Sequence, residues 1–185
     1  MNVNGVSNGV DAAIDTQFAF IDNNVDFEDG LSFERLQSMT DFRKCHDGFP
    51  LEARILFDCQ QTAPSRIERQ FVMKVKIQVP DNTRSSTKDG PSTTTLAELK
   101  ALQLFRDAKC PYTPHLVAFK QAQQGSNGPL PGGYITYEVM TLMPGKSLLD
   151  LGFWGLGLQQ QEEIRRAFLT ALKWVHFLSA FIGNG

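Results

Sequence analysis

Apolar and polar side chains alternate most regularly between Phe71 and Val79, and this period of two predicts a β-strand. The apolar positions on one face are Phe71, Met73, Val75, Ile77 and Val79. The positions on the opposite face are Val72, Lys74, Lys76 and Gln78. The strand should therefore present one face to a hydrophobic core and two lysines to the other side of its sheet.

Three further segments are predicted to form strands from apolar runs bounded by turn residues. They are residues 50–57, 115–121 and 134–142. The last two flank a turn-rich stretch at residues 124–129, which predicts an antiparallel hairpin with a long loop. Residues 80–94 are dominated by Ser, Thr, Asp, Pro and Gly and are predicted to form a loop.

Helical spacing of apolar residues predicts two helices, at about residues 96–108 and 159–178. A weaker helical pattern runs from Leu31 to Met39. The order of elements predicts an α+β fold, in which an antiparallel sheet with one packed helix is followed by one long helix.

The start of the chain is acidic: residues 1–34 contain seven Asp or Glu residues and no Lys or Arg. Asn and Gly are interspersed, and this composition predicts a solvated, flexible segment over residues 1–30. The exception is Phe18–Ile21, which is apolar enough to form a short strand or a docking element.

Composition excludes several classes of partner. The net charge is −2 and no basic stripe is present, so we expect no nucleic-acid partner. The three cysteines lack CxxC spacing, which argues against a disulfide framework or a zinc site and for a reducing compartment. The three histidines share no metal-ligand spacing. No secretory signal or membrane span is visible, so the expected location is cytoplasmic, with a nuclear one left open.

Lys74 and Glu98 form the main candidate site. A nucleotide triphosphate needs a fixed cation near its phosphates, and a flexible lysine needs a carboxylate to hold it. Lys74 shares its strand face with Val72, which could cover an adenine ring, and Glu98 lies at the edge of the apolar stripe of the next helix. Two alternatives stay open: Lys76 competes for the same role, and Glu98 could instead close a capping box on Thr95.

Residues 134–148, YITYEVMTLMPGKSL, resemble the fifth strand and hinge of a protein kinase. In that resemblance Met140 is the gatekeeper at the back of the adenine pocket. Thr141 and Met143 would then offer backbone groups to the adenine edge. The second predicted helix, with Leu172–His176 near its end, resembles the first long helix of a kinase C-lobe.

Over about residues 50–178 the chain is thus similar to the protein-kinase-like superfamily that includes aminoglycoside and choline phosphotransferases. It is similar in particular to kinase-like proteins of filamentous fungi, through phrases such as PGGYITY, MPGKSLLDLGFW and EEIRRAFLTALK. The resemblance implies a kinase-like N-lobe and hinge over residues 31–158, and a first C-lobe helix and chain end over 159–185. It implies ATP as the cofactor, with Mg²⁺ only if a C-lobe is present. The implied nucleotide-binding residues are Val72, Lys74, Glu98, Met140, Thr141 and Met143.

Two departures from the kinase pattern limit the expected activity. No glycine lies between Phe49 and Lys74, so the glycine-rich phosphate loop is missing. No carboxylate follows His176, so the acceptor-side aspartate and the magnesium ligands are missing as well. The interpretation is a truncated kinase-like domain with no catalytic or metal residues, which binds ATP without phosphotransfer. The alternative is a non-catalytic binding or regulatory module, whose apolar last helix contacts a protein partner or the missing C-lobe.

Overall fold

The computed structural model describes residues 18–45, 50–81 and 90–182, with side chains up to Phe177. Within these residues the chain forms a mixed α+β fold of seven strands and two α-helices. The strands are β1 (Asn24–Asp26), β2 (Ser32–Ser38), β3 (Arg43–Cys45), β4 (Glu52–Ala63), β5 (Gln70–Gln78), β6 (Leu116–Gln123) and β7 (Tyr134–Thr141). The helices are α1 (Thr93–Asp107) and α2 (Leu158–Ile182), preceded by a short 3₁₀ helix at Phe153–Gly155.

The strands form one curled antiparallel sheet in the order β1-β2-β4-β5-β7-β6. β3 also pairs with β4, beyond the point where β2 leaves it. β5 lies between β4 and β7, and its residues 71–77 each have a cross-strand neighbour on both sides. Lys74, for example, lies between Leu56 and Glu138. The predicted hairpin is confirmed, because β6 and β7 pair antiparallel.

One face of the sheet forms the main hydrophobic core. The alternation predicted for β5 is confirmed, and Met73, Val75 and Ile77 are fully buried on that face. Neighbouring strands contribute residues of the same kind, among them Phe33, Ile55, Phe57, Tyr137 and Val139. The core therefore depends on the period-two pattern of four adjacent strands, each of which turns its apolar residues to the same side.

Helix α1 covers the opposite face. Leu99 and Leu102 pack there with Val72, Leu116 and Met140 in a second, smaller apolar cluster. The helix begins three residues earlier than predicted, because its N-cap is Ser92, whose side-chain oxygen accepts a hydrogen bond from the Thr95 N–H at 3.2 Å. The capping-box alternative for Glu98 is therefore wrong.

The helical pattern predicted from Leu31 to Met39 is also wrong, because this segment contains strand β2. Phe33 is fully buried and packs edge-on against Phe71, while Leu36 and Met39 are exposed. Strand pairing with β4 satisfies the backbone, and Phe33, together with partly buried Leu31, anchors the segment to the core. Four apolar residues at helical spacing were too weak a signal against that pairing.

Residues 18–30, which were predicted to belong to a flexible segment, instead pack on the sheet. The buried side chains are Phe18, Ile21, Val25 and Phe27, and β1 extends the edge of the sheet. The Tyr137 hydroxyl donates a hydrogen bond to Asp22 at 3.1 Å and ties this segment to β7. Phe18–Ile21 forms a turn that docks on the core, and no strand. Residues 1–17 lie outside the described part of the chain.

Helix α2 confirms the predicted last helix, and several of its apolar side chains are exposed, among them Phe168 and Leu172. Between residues 18 and 182, where the chain is described, no helix has both the length and the apolar composition needed to cross a membrane.

The packing of the first segment can be tested with Phe18→Ala. Its ring lies 5.9 Å from that of Phe57 and is almost fully buried, so truncation should lower the free energy of unfolding by roughly 3 kcal/mol. The matched control is Phe168→Ala on the exposed face of α2, where the expected change is within about 0.5 kcal/mol. Urea unfolding measures both. Equal effects of the two substitutions would contradict the docking of residues 18–30.

Candidate functional site

The site is built on the N-terminus of α1, which Glu52 at the start of β4 holds against the sheet. One Glu52 oxygen accepts hydrogen bonds from the Ser92 N–H (2.9 Å) and the Tyr134 hydroxyl (2.6 Å). The other accepts one from the Thr95 hydroxyl at 2.7 Å. A carboxylate at this position also suits the positive end of the helix dipole. Glu52 therefore sets the position of the helix over the sheet.

One turn further along α1, Glu98 reaches down to both lysines of β5. Lys74 Nζ contacts one Glu98 oxygen, and Lys76 Nζ donates to the other at 2.6 Å. Lys76 also donates to the Thr95 hydroxyl at 2.9 Å. The predicted Lys74–Glu98 pair is thus present in the structure, but the carboxylate is shared with Lys76.

The two lysines have different surroundings, which separates their roles. The Lys76 side chain is only 4% exposed and both of its contacts are internal. Lys74 is slightly more accessible and borders an open cleft. Both lysines tie α1 to the sheet through Glu98, and Lys74 is the one that lines the cleft.

The electrostatics of Glu98 follow from this sharing. Burial by itself raises the pKa of the carboxyl, but hydrogen bonds from Lys74 and Lys76 and their positive charges outweigh it. The net effect is a pKa below the ordinary value, so Glu98 is ionised at neutral pH and compensates two ammonium groups at once.

Glu138 joins Lys74, Lys76 and Glu98 in a layer of charged side chains between the sheet and α1. It was not identified from the sequence. It lies on β7 directly opposite Lys74 and is fully buried. Neither carboxylate oxygen has a hydrogen-bond partner among the described residues. Burial raises the pKa of Glu138 to about 7, with the charges of Lys76, Glu98, Lys74 and Glu52 acting in opposite directions. The only signal in the sequence was an acidic residue inside the apolar strand YITYEVMT.

Lys74 opens into a cleft of about 570 Å³ between the bend that joins β2 to β3 and the sheet. The bend is held on β4 by two hydrogen bonds, from the Met39 N–H to the Leu56 carbonyl (2.8 Å) and from the Leu56 N–H to the Thr40 hydroxyl (3.1 Å). Arg43 and Arg54 also line the cleft. Its size lies within the range of small-molecule sites.

The predicted hinge residues lie at the end of β7 and just beyond it, and Met140 is the one that shares a sheet face with Val72 and Lys74. Val72 and Met140 are cross-strand neighbours and are mostly buried under α1. The Thr141 N–H donates to the His115 carbonyl at 3.1 Å, so this donor is not available to a ligand edge. Met143 lies beyond the strand and is 36% exposed. None of these four residues lines the cleft at Lys74.

The described residues include no group of three or more His, Cys, Asp and Glu side chains arranged to hold a metal ion. No protein-family model, curated protein or solved structure matches the chain. The kinase-like resemblance therefore stays a prediction from the residue pattern.

Removal of the shared carboxylate should destabilise the fold. In Glu98→Gln the two buried ammonium groups lose their counter-charge, and we expect the free energy of unfolding at pH 7 to fall by about 2 kcal/mol. The pKa of Glu98 is lower in the folded protein than in the unfolded chain. The stability that the ionised carboxylate contributes is therefore fully present above the unfolded pKa near 4.5, and it is lost as the pH falls through the lower folded pKa. The difference from the native protein should therefore shrink in acid. Urea unfolding at pH 7 and pH 3.5 measures it.

The control for that experiment is Glu163→Gln on the exposed face of α2, with an expected effect within about 0.5 kcal/mol. A Glu98→Gln effect no larger than this control would show that the ion pairs do not hold α1 in solution.

Glu138→Gln should have the opposite dependence on pH. The unfolded carboxyl ionises near pH 4.5 and the folded one near 7, so in this window the native protein holds a proton that the unfolded chain has lost. The free energy of unfolding of the native protein therefore falls as the pH rises through this window, because folding keeps Glu138 protonated. Glu138→Gln has no carboxyl at this position, so its free energy of unfolding lacks this dependence on pH. We expect the stability of Glu138→Gln relative to the native protein to rise by roughly 2 kcal/mol between pH 5 and pH 8. Urea unfolding at both pH values tests this, and a constant difference would contradict it.

Proposed function

We propose that this chain is a nucleotide-binding lobe of the protein-kinase-like class and that it binds ATP. The observation that carries the proposal is the ion pair between Lys74 on the central strand and Glu98 on the helix that follows it. In protein kinases this pairing positions the lysine that contacts the nucleotide phosphates. The pair spans 24 residues and is held by a dedicated network, so it is more than a chance surface contact.

The layout of the sheet face supports the same proposal. Val72 and Lys74 project from the same face of β5, about 7 Å apart along the strand. Met140 lies opposite Val72, and the chain leaves the strand one residue later. A base covered by Val72 would lie at the hinge end, with the Thr141 carbonyl and the Met143 backbone at its edge. The phosphates of the nucleotide would then extend towards Lys74 and the cleft.

The proposal concerns nucleotide binding alone, because no described residue is assigned to orient an acceptor hydroxyl. Because the described residues hold no cluster of metal ligands, Mg²⁺ is proposed only together with residues of a C-lobe. A cytoplasmic location is part of the proposal, since Cys45, Cys59 and Cys110 are free thiols.

A second candidate function is a non-catalytic interaction module. The exposed side of α2 favours it, because large apolar residues there are open to solvent. They are Phe168 (64% exposed), Leu169 (52%), Leu172 (42%) and Trp174 (42%). In this alternative the lobe keeps its fold and its ion pair but binds a protein through α2.

A thermal-shift titration with ATP, with and without Mg²⁺, separates the two functions. We expect millimolar ATP to raise the melting temperature of the native chain, and Lys74→Met to abolish the shift because the phosphates lose their cation. The control is Lys173→Met, an exposed lysine on α2, which should keep the full shift. Circular dichroism verifies that each variant is folded. No shift of the native chain at millimolar ATP would reject nucleotide binding and favour the interaction module.

A further inference from the structure

The cleft beside Lys74 carries a row of cations that the kinase resemblance does not explain. Arg43 on β3 lies directly opposite Arg54 on β4, and Arg54 lies directly opposite Lys76 on β5. Arg43, Arg54 and Lys74 all line the cleft. Three adjacent strands thus place basic side chains side by side on the face that holds the candidate site.

This arrangement costs stability, because like charges in directly opposite positions of an antiparallel pair repel. Compensation is incomplete. Arg43 forms an exposed ion pair with Asp41 at 3.7 Å, where both side chains are largely solvated and the attraction is weak. Arg54 has no ion-pair partner among residues 18–45, 50–81 and 90–177. Glu98 is already shared between two lysines. The eight residues that line the cleft include three cations and one carboxylate, so the cleft is positively charged.

We propose that Arg43 and Arg54 form a phosphate clamp that replaces the glycine-rich loop. In a glycine-rich loop, backbone N–H groups approach the phosphates closely because no side chain intervenes. The stretch between Phe49 and Lys74 contains no glycine, but it contains Arg54. A guanidinium group carries a planar fork of N–H donors that binds phosphate oxygens in a bidentate manner. The two arginines therefore supply from their side chains the donors that the backbone does not.

The ligand class follows from the position of the clamp. The clamp lies on the far side of Lys74 from Val72, because Arg54 is opposite Lys76 and Leu56 is opposite Lys74. A nucleotide with its base at Val72 would reach Arg54 only through phosphates beyond the first. The site should therefore prefer a nucleoside di- or triphosphate to a nucleoside. This inference rests on the proposed nucleotide binding and adds to it the residues that select for the phosphate chain.

Isothermal titration calorimetry of the full chain tests the clamp, with ATP, ADP, adenosine and inorganic tripolyphosphate as ligands. We expect ATP to bind more tightly than adenosine. Arg54→Gln and Arg43→Gln should each lower the affinity for ATP about tenfold, which is the loss expected when a charged hydrogen bond is removed. Adenosine affinity should stay within twofold, because the base site is not altered. Arg54→Lys should fall between the native chain and Arg54→Gln, since it keeps the charge and loses the bidentate geometry. Raising the salt concentration should weaken ATP and leave adenosine unchanged.

The control variant is Arg166→Gln on α2, whose side chain is 75% exposed and remote in sequence from the cleft strands. Urea unfolding verifies that the cleft variants are at least as stable as the native chain. If ATP and adenosine bind equally, or if both cleft variants bind ATP like the native chain, the clamp is wrong while the proposed nucleotide binding stands. If neither adenosine nor ATP binds, the proposed function fails. Arginine-dependent binding of tripolyphosphate would then still support an anion clamp, and its absence would overturn that as well.

Discussion

A single carboxylate shared by two buried lysines is the interaction on which the arrangement of this fold depends. The second face of the sheet carries Lys74 and Lys76 into the interface with α1, where a buried charge needs a counter-charge. Glu98 provides that compensation from the helix side. Because the ammonium groups come from the central strand, the helix cannot slide along the sheet without breaking both pairs. The position of α1, and of every residue that it covers, follows from this requirement.

The rest of the polar layer is arranged around that carboxylate. Glu52 holds the N-terminus of α1 through hydrogen bonds from Ser92, Thr95 and Tyr134. The first turn of the helix is thereby fixed on the sheet, and Glu98 lies over the lysines in the next turn. Glu138 adds a buried carboxylate with no hydrogen-bond partner among the described residues and a pKa near neutrality. Such a group lowers stability without improving the packing. Strongly shifted pKa values of this kind are concentrated at functional sites in proteins.

The two faces of the sheet therefore differ in what they hold. The inner face builds the core with regular alternation, and residues 18–30 close its open side through Phe18 and Val25. The other face holds an apolar cluster under α1, the ion pairs, and the cationic cleft. In the proposed function, the apolar cluster at Val72 would cover the base and the cationic cleft beyond Lys74 would take the phosphates. The exposed apolar side of α2 is a separate surface, and it is the basis of the alternative function.

The sequence by itself determined the elements with a strong internal period: β5, the β6–β7 hairpin, α1 and α2 all lie where alternation or helical spacing predicts them. It also indicated the Lys74–Glu98 pair, but it left Lys76 and a capping box on Thr95 as alternatives. Only the tertiary structure decided what depends on neighbours distant in the chain. Strand β2 forms because it pairs with β4, although its local sequence has a helical pattern. Residues 18–30 pack on a core that is built from strands later in the chain. Which lysine faces a ligand, how deeply Glu138 is buried, and where Arg43 meets Arg54 depend on strand register and on the helix above it. Register joins residues that are far apart in the chain, and local patterns do not record it.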